Sequence, residues 1–201
     1  MADELIKEKK ERRFTLSYNA PVTLTFALIS LIVLGLGKIT GDHSTHLLFS
    51  VYRSKISFFG VLRLFGHVLG HANIQHYTGN MMLILLLGPV LEKRYGGKNL
   101  IEAICITAVI SGLVSVIFFP NAALLGASGI VFMMIVLVSA GDLRHGVIPI
   151  TLILVLLMYL GTEIWTMITV KDNISQLTHI VGGVCGAAFG VILMNEKKTE
   201  E

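Results

Sequence analysis

Residues 124–132 read LLGASGIVF, an apolar run whose centre, Gly126-Ala127-Ser128-Gly129, is poor material for the middle of a helix. The stretch is therefore either an interrupted span or the start of a helix that begins inside a membrane. The distance to the next charge decides between them. Asp142 lies 14 residues after Ser128, which at 1.5 Å per residue is about 21 Å, whereas a bilayer's hydrocarbon is roughly 30 Å thick. A helix starting near Ser128 thus begins below the surface, and the irregular segment before it, FFPNAALLGA at 118–127, lies at membrane depth. Such backbone persists only where protein or water covers it.

Composition supports a membrane setting. Of 201 residues, 54% are hydrophobic and 14% charged, and the mean hydropathy is +0.76, far from the balance of a soluble domain. Apolar runs long enough to cross hydrocarbon lie near 22–37, 74–91, 100–119, 126–141, 147–165 and 176–195. The expectation is an all-α membrane protein of six transmembrane helices with a short central fourth helix. Its domain organisation reads as a basic tail at 1–20, one membrane domain at 21–195 and a short tail at 196–201. The charged start MADELIKEKKERRF lacks a signal's apolar core, so the first span reads as an uncleaved anchor.

Lys and Arg counts over the short loops set the orientation. With the N-terminus inside, Lys7, Lys9, Lys10, Arg12, Arg13, Lys93, Arg94, Lys98, Arg144, Lys197 and Lys198 make 11 on the inner side. Lys38, Arg53, Lys55, Arg63 and Lys171 make 5 outside. Both termini are expected to be cytoplasmic. The net charge of +3 is mostly this asymmetry and argues against nucleic acid as a partner. Cys105 and Cys185 fall within spans and read as small packing residues.

One connection is long. Within 38–73, the stretch HLLFSVYRSKISFFGVLRLFGH is aromatic and apolar but broken by Arg53, Lys55 and Arg63. Too short and too charged to span, it suits an element lying in the outer interface.

Helix ends serve as rulers for the polar residues. His76 and Asn80 precede Glu92 by 16 and 12 residues, about 24 and 18 Å, and His179 precedes Glu196 by 17, about 25 Å. With Ser128 they share one level, on three helices that run the same way. Polar groups at that depth are costly unless they face a hydrated interior, which makes them functional candidates; a cluster that merely joins helices is the plainer alternative. In HIVGGVCGAAFG at 179–190, Gly182, Gly186 and Gly190 fall on one face, a pattern that lets two helix backbones approach closely. His179 shares that face. A serine hydroxyl beside an imidazole supplies nucleophile and base for acyl transfer. A helix N-terminus at Ser128, with His76 and Asn80 one turn apart, supplies donors for an oxyanion.

Two other motifs weaken on inspection. The soluble hydrolase elbow needs G-x-S-x-G, but Ile130 stands two after Ser128. His67, His71 and His76 lack the spacing of a metal motif, so neither metal nor cofactor is expected.

These residues together resemble the rhomboid intramembrane serine proteases. The resemblance rests on GASG at 126–129, HANIQHYTGN at 71–80, EKRYG at 92–96, HIVGGVCG at 179–186, and Arg63 four residues ahead of His67 in LRLFGH. It covers about residues 20–195 and implies a rhomboid-like bundle with a membrane-embedded first external loop. It implies Ser128 as nucleophile, His179 as general base and acid, and His76, Asn80 and the Ser128 N–H as the oxyanion hole. Gly126, Gly129, Phe132, His71, Gly182 and Gly186 would support them. The implied reaction is hydrolysis of a peptide bond in or beside the transmembrane helix of a single-span or polytopic membrane protein. Leu62 stands where many members carry Trp, and Phe132 where some carry Tyr, though its ring can still pack on His179. The competing classes are an inactive rhomboid-like protein that binds or escorts membrane proteins, and a small transporter, which leaves a serine at a helix start unexplained. The compact form suggests a bacterial plasma membrane.

Overall fold

The computed structural model describes residues 17–143 and 173–199, together with Ile150, Ile153, Leu154 and Leu157. Described residues form seven helices: α1 Pro21–Ile39, α2 His43–Leu48, α3 Phe58–Gly66, α4 Ile74–Tyr95, α5 Gly97–Phe118, α6 Ser128–Leu143 and α7 Asn173–Thr199. Among them α1, α5 and Gln176–Leu193 of α7 are long and apolar enough to cross a bilayer. The expected span at 147–165 lies outside the described residues, apart from the four named above, as do residues 1–16 and 200–201 of the two expected tails, while α7 continues through the start of the second to Thr199.

The short helix sits at the centre. In α6, Ile130, Val131, Met133 and Met134 are 0% exposed and Leu137 is 1% exposed. A helix apolar on all sides has no lipid or water face to satisfy and settles inside a bundle. Its 16 residues make it about 24 Å long, so Ser128 starts it below the level a full span would reach.

Helix α7 runs parallel to α6 and packs tightly on it. A Cβ on Gly182 would overlap the carbonyl oxygen of Gly129, and one on Gly186 would overlap that of Met133. Only glycine allows backbones this close. Gly183, by contrast, would meet nothing nearer than Val136 at 3.9 Å.

At the opposite end of α6 from Ser128, polar side chains bind the helices together. Helix α4 continues past the expected end of its span, and Glu92 does not begin an exposed charged loop but is buried. Its carboxylate accepts from Val22 N at 2.9 Å and from Thr23 N at 3.1 Å and Oγ1 at 2.9 Å. Those N–H groups belong to the first turn of α1, where a helix has no partners of its own and favours a negative charge; Pro21, lacking an N–H, fits the first position. Arg94 Nη1 donates to the Val138 carbonyl at 3.0 Å, joining α4 to α6.

The long connection holds α2 and α3. Ile56, Phe58, Phe59, Val61, Leu62 and Phe65 are exposed, whereas Arg63 is buried. Arg63 donates to Ser54 Oγ at 2.9 Å and lies 4.2 Å over the Tyr52 ring. The cation thus points inward and the apolar face outward, as an interfacial element requires.

Candidate active site

Position 128 is built by the chain on both sides of it. Before α6, Leu124 pairs with Val51 in an isolated antiparallel bridge, with N–H···O distances of 2.8 and 2.9 Å. Gly126 N donates to the His67 carbonyl at 2.9 Å, and Gly126 takes a φ of 124°, which a residue with a Cβ rarely adopts. The long connection therefore anchors the segment that delivers Ser128, which is partly exposed while Ala127 and Gly129 beside it are buried.

His67 links this segment to α5. Its ring Nε2 lies 3.0 Å from the Ala108 carbonyl, which fixes that nitrogen as the donor. Burial pushes its pKa down from 6.5 to about 4, so the ring is neutral near pH 7. His71 is also held to about 4, by burial first and then by the neighbouring His76, with its Nδ1 3.1 Å from the Leu69 carbonyl. His71 stands edge-on to His76, with ring centroids 5.1 Å apart.

Helix α4 supplies two of the remaining groups. Asn73 caps it, its side chain accepting from His76 N at 2.8 Å. This brings the His76 ring against Gly126, where an added Cβ would lie 2.6 Å from Cε1 and 2.7 Å from Nε2. One turn on, Asn80 is buried, and its amide nitrogen has no hydrogen-bond partner among the described residues. A buried amide without a partner carries a free-energy cost of about 1–3 kcal/mol.

His179 comes from α7. Gly182 rests on Gly129 one helical turn further along, and the Phe132 ring stacks on the His179 imidazole with centroids 4.5 Å apart and planes at 16°. The sequence-chosen residues Ser128, His179, Phe132, Gly129 and Gly182 thus gather at one end of the α6–α7 pair, with His76, His71 and Gly126 beside them. Gly186 lies further down, at Met133.

The sequence reading missed Ser111 and Thr178, which flank Gly129: its Cβ would come within 3.4 Å of Ser111 Oγ and 3.0 Å of Thr178 Cγ2. Thr107, Ser111 and Ser115 are all buried on α5. Their spacing of four, a hydroxyl stripe within an apolar span, is the signal that could have found them.

A bundle built around a short, buried helix, with polar side chains gathered at its sunken N-terminus, defines a helical membrane protein with an internal polar site. Residues 59–196 match the model of the Rhomboid domain, more than half of the chain, and the protein belongs to the rhomboid family. It is 29% identical over 141 residues to Rhomboid-related protein 2 of Mus musculus, covering 64% of this chain and 46% of that one. It is 31% identical over 142 residues to Rhomboid-related protein 1 of Caenorhabditis elegans, covering 66% and 40%. To Rhomboid-like protease 3 of Toxoplasma gondii it is 33% identical over 87 residues, covering 43% and 33%. The chain spans less than half the length of these relatives. It is an integral membrane protein.

Proposed function

We propose that the protein is an intramembrane serine protease that hydrolyses a peptide bond in or next to the transmembrane helix of a membrane-protein substrate. The reading is carried by the approach of α7 to α6, with Gly182 on Gly129 and His179 stacked on Phe132, at the end of α6 that begins with Ser128. The name of the Toxoplasma gondii relative also supports it.

In this scheme His179 takes the proton of Ser128 Oγ as the oxygen bonds to the scissile carbonyl carbon. The negative charge on the carbonyl oxygen is met by the Asn80 amide, His76 and the N–H of Ser128 at the positive end of α6. His179 returns the proton to the leaving nitrogen as the C–N bond breaks. Water then attacks the acyl-enzyme and gives a proton to His179, which passes it to Ser128 Oγ as the ester C–O bond breaks and the new carboxyl end is released. Stacking on Phe132 holds the imidazole plane, so the base needs no carboxylate to orient it. Because a helical amide is shielded, the substrate must unwind locally before attack.

The test is labelling of the purified chain with a fluorophosphonate and cleavage of a single-span model substrate. Wild type reacts in both assays, while Ser128→Ala and His179→Ala lose both and keep the helical content of wild type. Equal labelling of wild type and Ser128→Ala would remove Ser128 from this role. Capture of the substrate with neither labelling nor cleavage would place the chain among inactive, escorting relatives.

A further inference from the structure

Helices α1 and α5 meet at the end of the bundle that carries Pro21 and Gly97, where a Cβ on Gly97 would lie 3.0 Å from Val22 Cγ2. Beyond that contact a cavity of about 450 Å³ opens between them. Phe26, Val68 and Ile104 line it and are buried. Ile29, Phe65 and Ile101 also line it, at 41%, 45% and 48% exposed, and form its open side. From Pro21 to Ile29 it follows α1 for eight residues, roughly 12 Å.

The lining has no charged side chain. Its one hydroxyl, Thr25 Oγ1, already bonds to Tyr18 OH at 2.7 Å. Nothing in the cavity asks for a polar ligand. Both helices that frame it are long and apolar enough to cross a bilayer, so the open side faces hydrocarbon.

At the Pro21 end the buried Glu92 carboxylate is already taken up by Val22 and Thr23, and Lys98 is an exposed cation there. Lys98 falls three and seven residues before Ile101 and Cys105, on the same face of α5 as these two lining residues. Its side chain is 88% exposed, and its nearest acid, Glu102 at 3.8 Å, is a solvent-facing pair of little strength. A basic residue next to a span attracts anionic lipid heads.

We propose that this groove is a lipid site: it takes one acyl chain of an anionic phospholipid, whose headgroup is held at Lys98. The occupant matches the groove because it is apolar along the cavity and negative at the cationic end. The site is separate from Ser128 and requires only that the helices sit in a bilayer, so it stands whether or not the chain is a protease.

The experiment is native mass spectrometry of the full chain in detergent with phosphatidylglycerol or phosphatidylcholine of identical acyl chains. A single-lipid adduct is expected, several-fold more abundant with phosphatidylglycerol. Ile101→Trp, which fills the open side, lowers it at least fivefold. Ile117→Trp, at a site on the same helix that is 66% exposed and outside the groove, leaves it unchanged. Lys98→Gln narrows the headgroup preference at least twofold. In wild type, without any substitution, phosphatidylglycerol slows alkylation of Cys105, a lining residue, several-fold relative to phosphatidylcholine. Equal losses in Ile101→Trp and Ile117→Trp would mean unspecific annular lipid and overturn the proposal. So would equal adducts with the two headgroups, unprotected Cys105, or a second protein copy in place of the lipid.

Discussion

Asn80 and His67 are both buried polar side chains, yet their surroundings assign them different tasks. His67 has a committed partner in the Ala108 carbonyl; the amide nitrogen of Asn80 has none among the described residues. In the proposed mechanism that donor meets the charge that develops on the substrate carbonyl. Asn80→Ala is accordingly expected to slow cleavage on the order of 10²-fold with little change in substrate affinity, measured as kcat and KM on the model substrate. An unchanged rate would leave the task to His76 and the backbone. His67 bears on stability. Its folded pKa, about 4, lies below the unfolded value of 6.5, so the unfolded chain binds more protons between these values. The stability that His67 contributes as a neutral ring is complete above about pH 6.5 and is lost as pH falls toward 4. Melting temperatures in detergent should fall across that window, and His67→Gln should flatten part of the decline; an identical slope in both proteins would assign it to other groups. His71, held down in the same way, accounts for a further share.

At the scale of elements, the α6–α7 contact is the feature on which the site depends most. Glycine is required at 182, where any Cβ would strike the Gly129 carbonyl, and not at 183, where only Val136 lies within 4 Å, at 3.9 Å. Gly182→Ala is expected to cost about 1–3 kcal/mol by overpacking and to reduce cleavage, because it pushes His179 away from the start of α6. Gly183→Ala should leave melting temperature and rate near wild type. Comparable damage from both variants would show that the helices tolerate no added bulk anywhere, and would remove the special status of the 182 contact. Glu92 works at the same scale: one carboxylate satisfies two backbone donors and a hydroxyl of α1, so it sets where α1 docks rather than carrying surface charge.

For the molecule as a whole, the charge count across the loops predicts an orientation, with the Pro21 end toward the cytoplasm and the Ser128 end outward. Cysteines introduced at Asn19 and Lys98 should then react with an impermeant maleimide only from the inner side, and those at Lys55 and Ala123 only from the outer side, in sealed vesicles of known orientation. The reverse pattern would invert both the site and the groove. The arrangement gives the two ends different work. One end holds α1, α4 and α6 together through Glu92 and Arg94, and the other carries the polar cluster, braced by the long connection through Leu124 and Gly126.

The sequence by itself determined the helical membrane class and the short helix beginning at Ser128, and it nominated the polar residues for its level, because these follow from local quantities: hydropathy over a window, rise per residue and the cost of a polar group in lipid. It also held the α6–α7 approach in its glycine spacing, although that spacing could not say which glycine bears the contact. Tertiary structure alone decided that Glu92 turns inward to α1, that His67 joins α5 to the segment before Ser128, and that α1 and α5 part to leave a groove. Each of these joins residues 40 or more positions apart, and periodicity carries no information about which distant backbone group a side chain will meet.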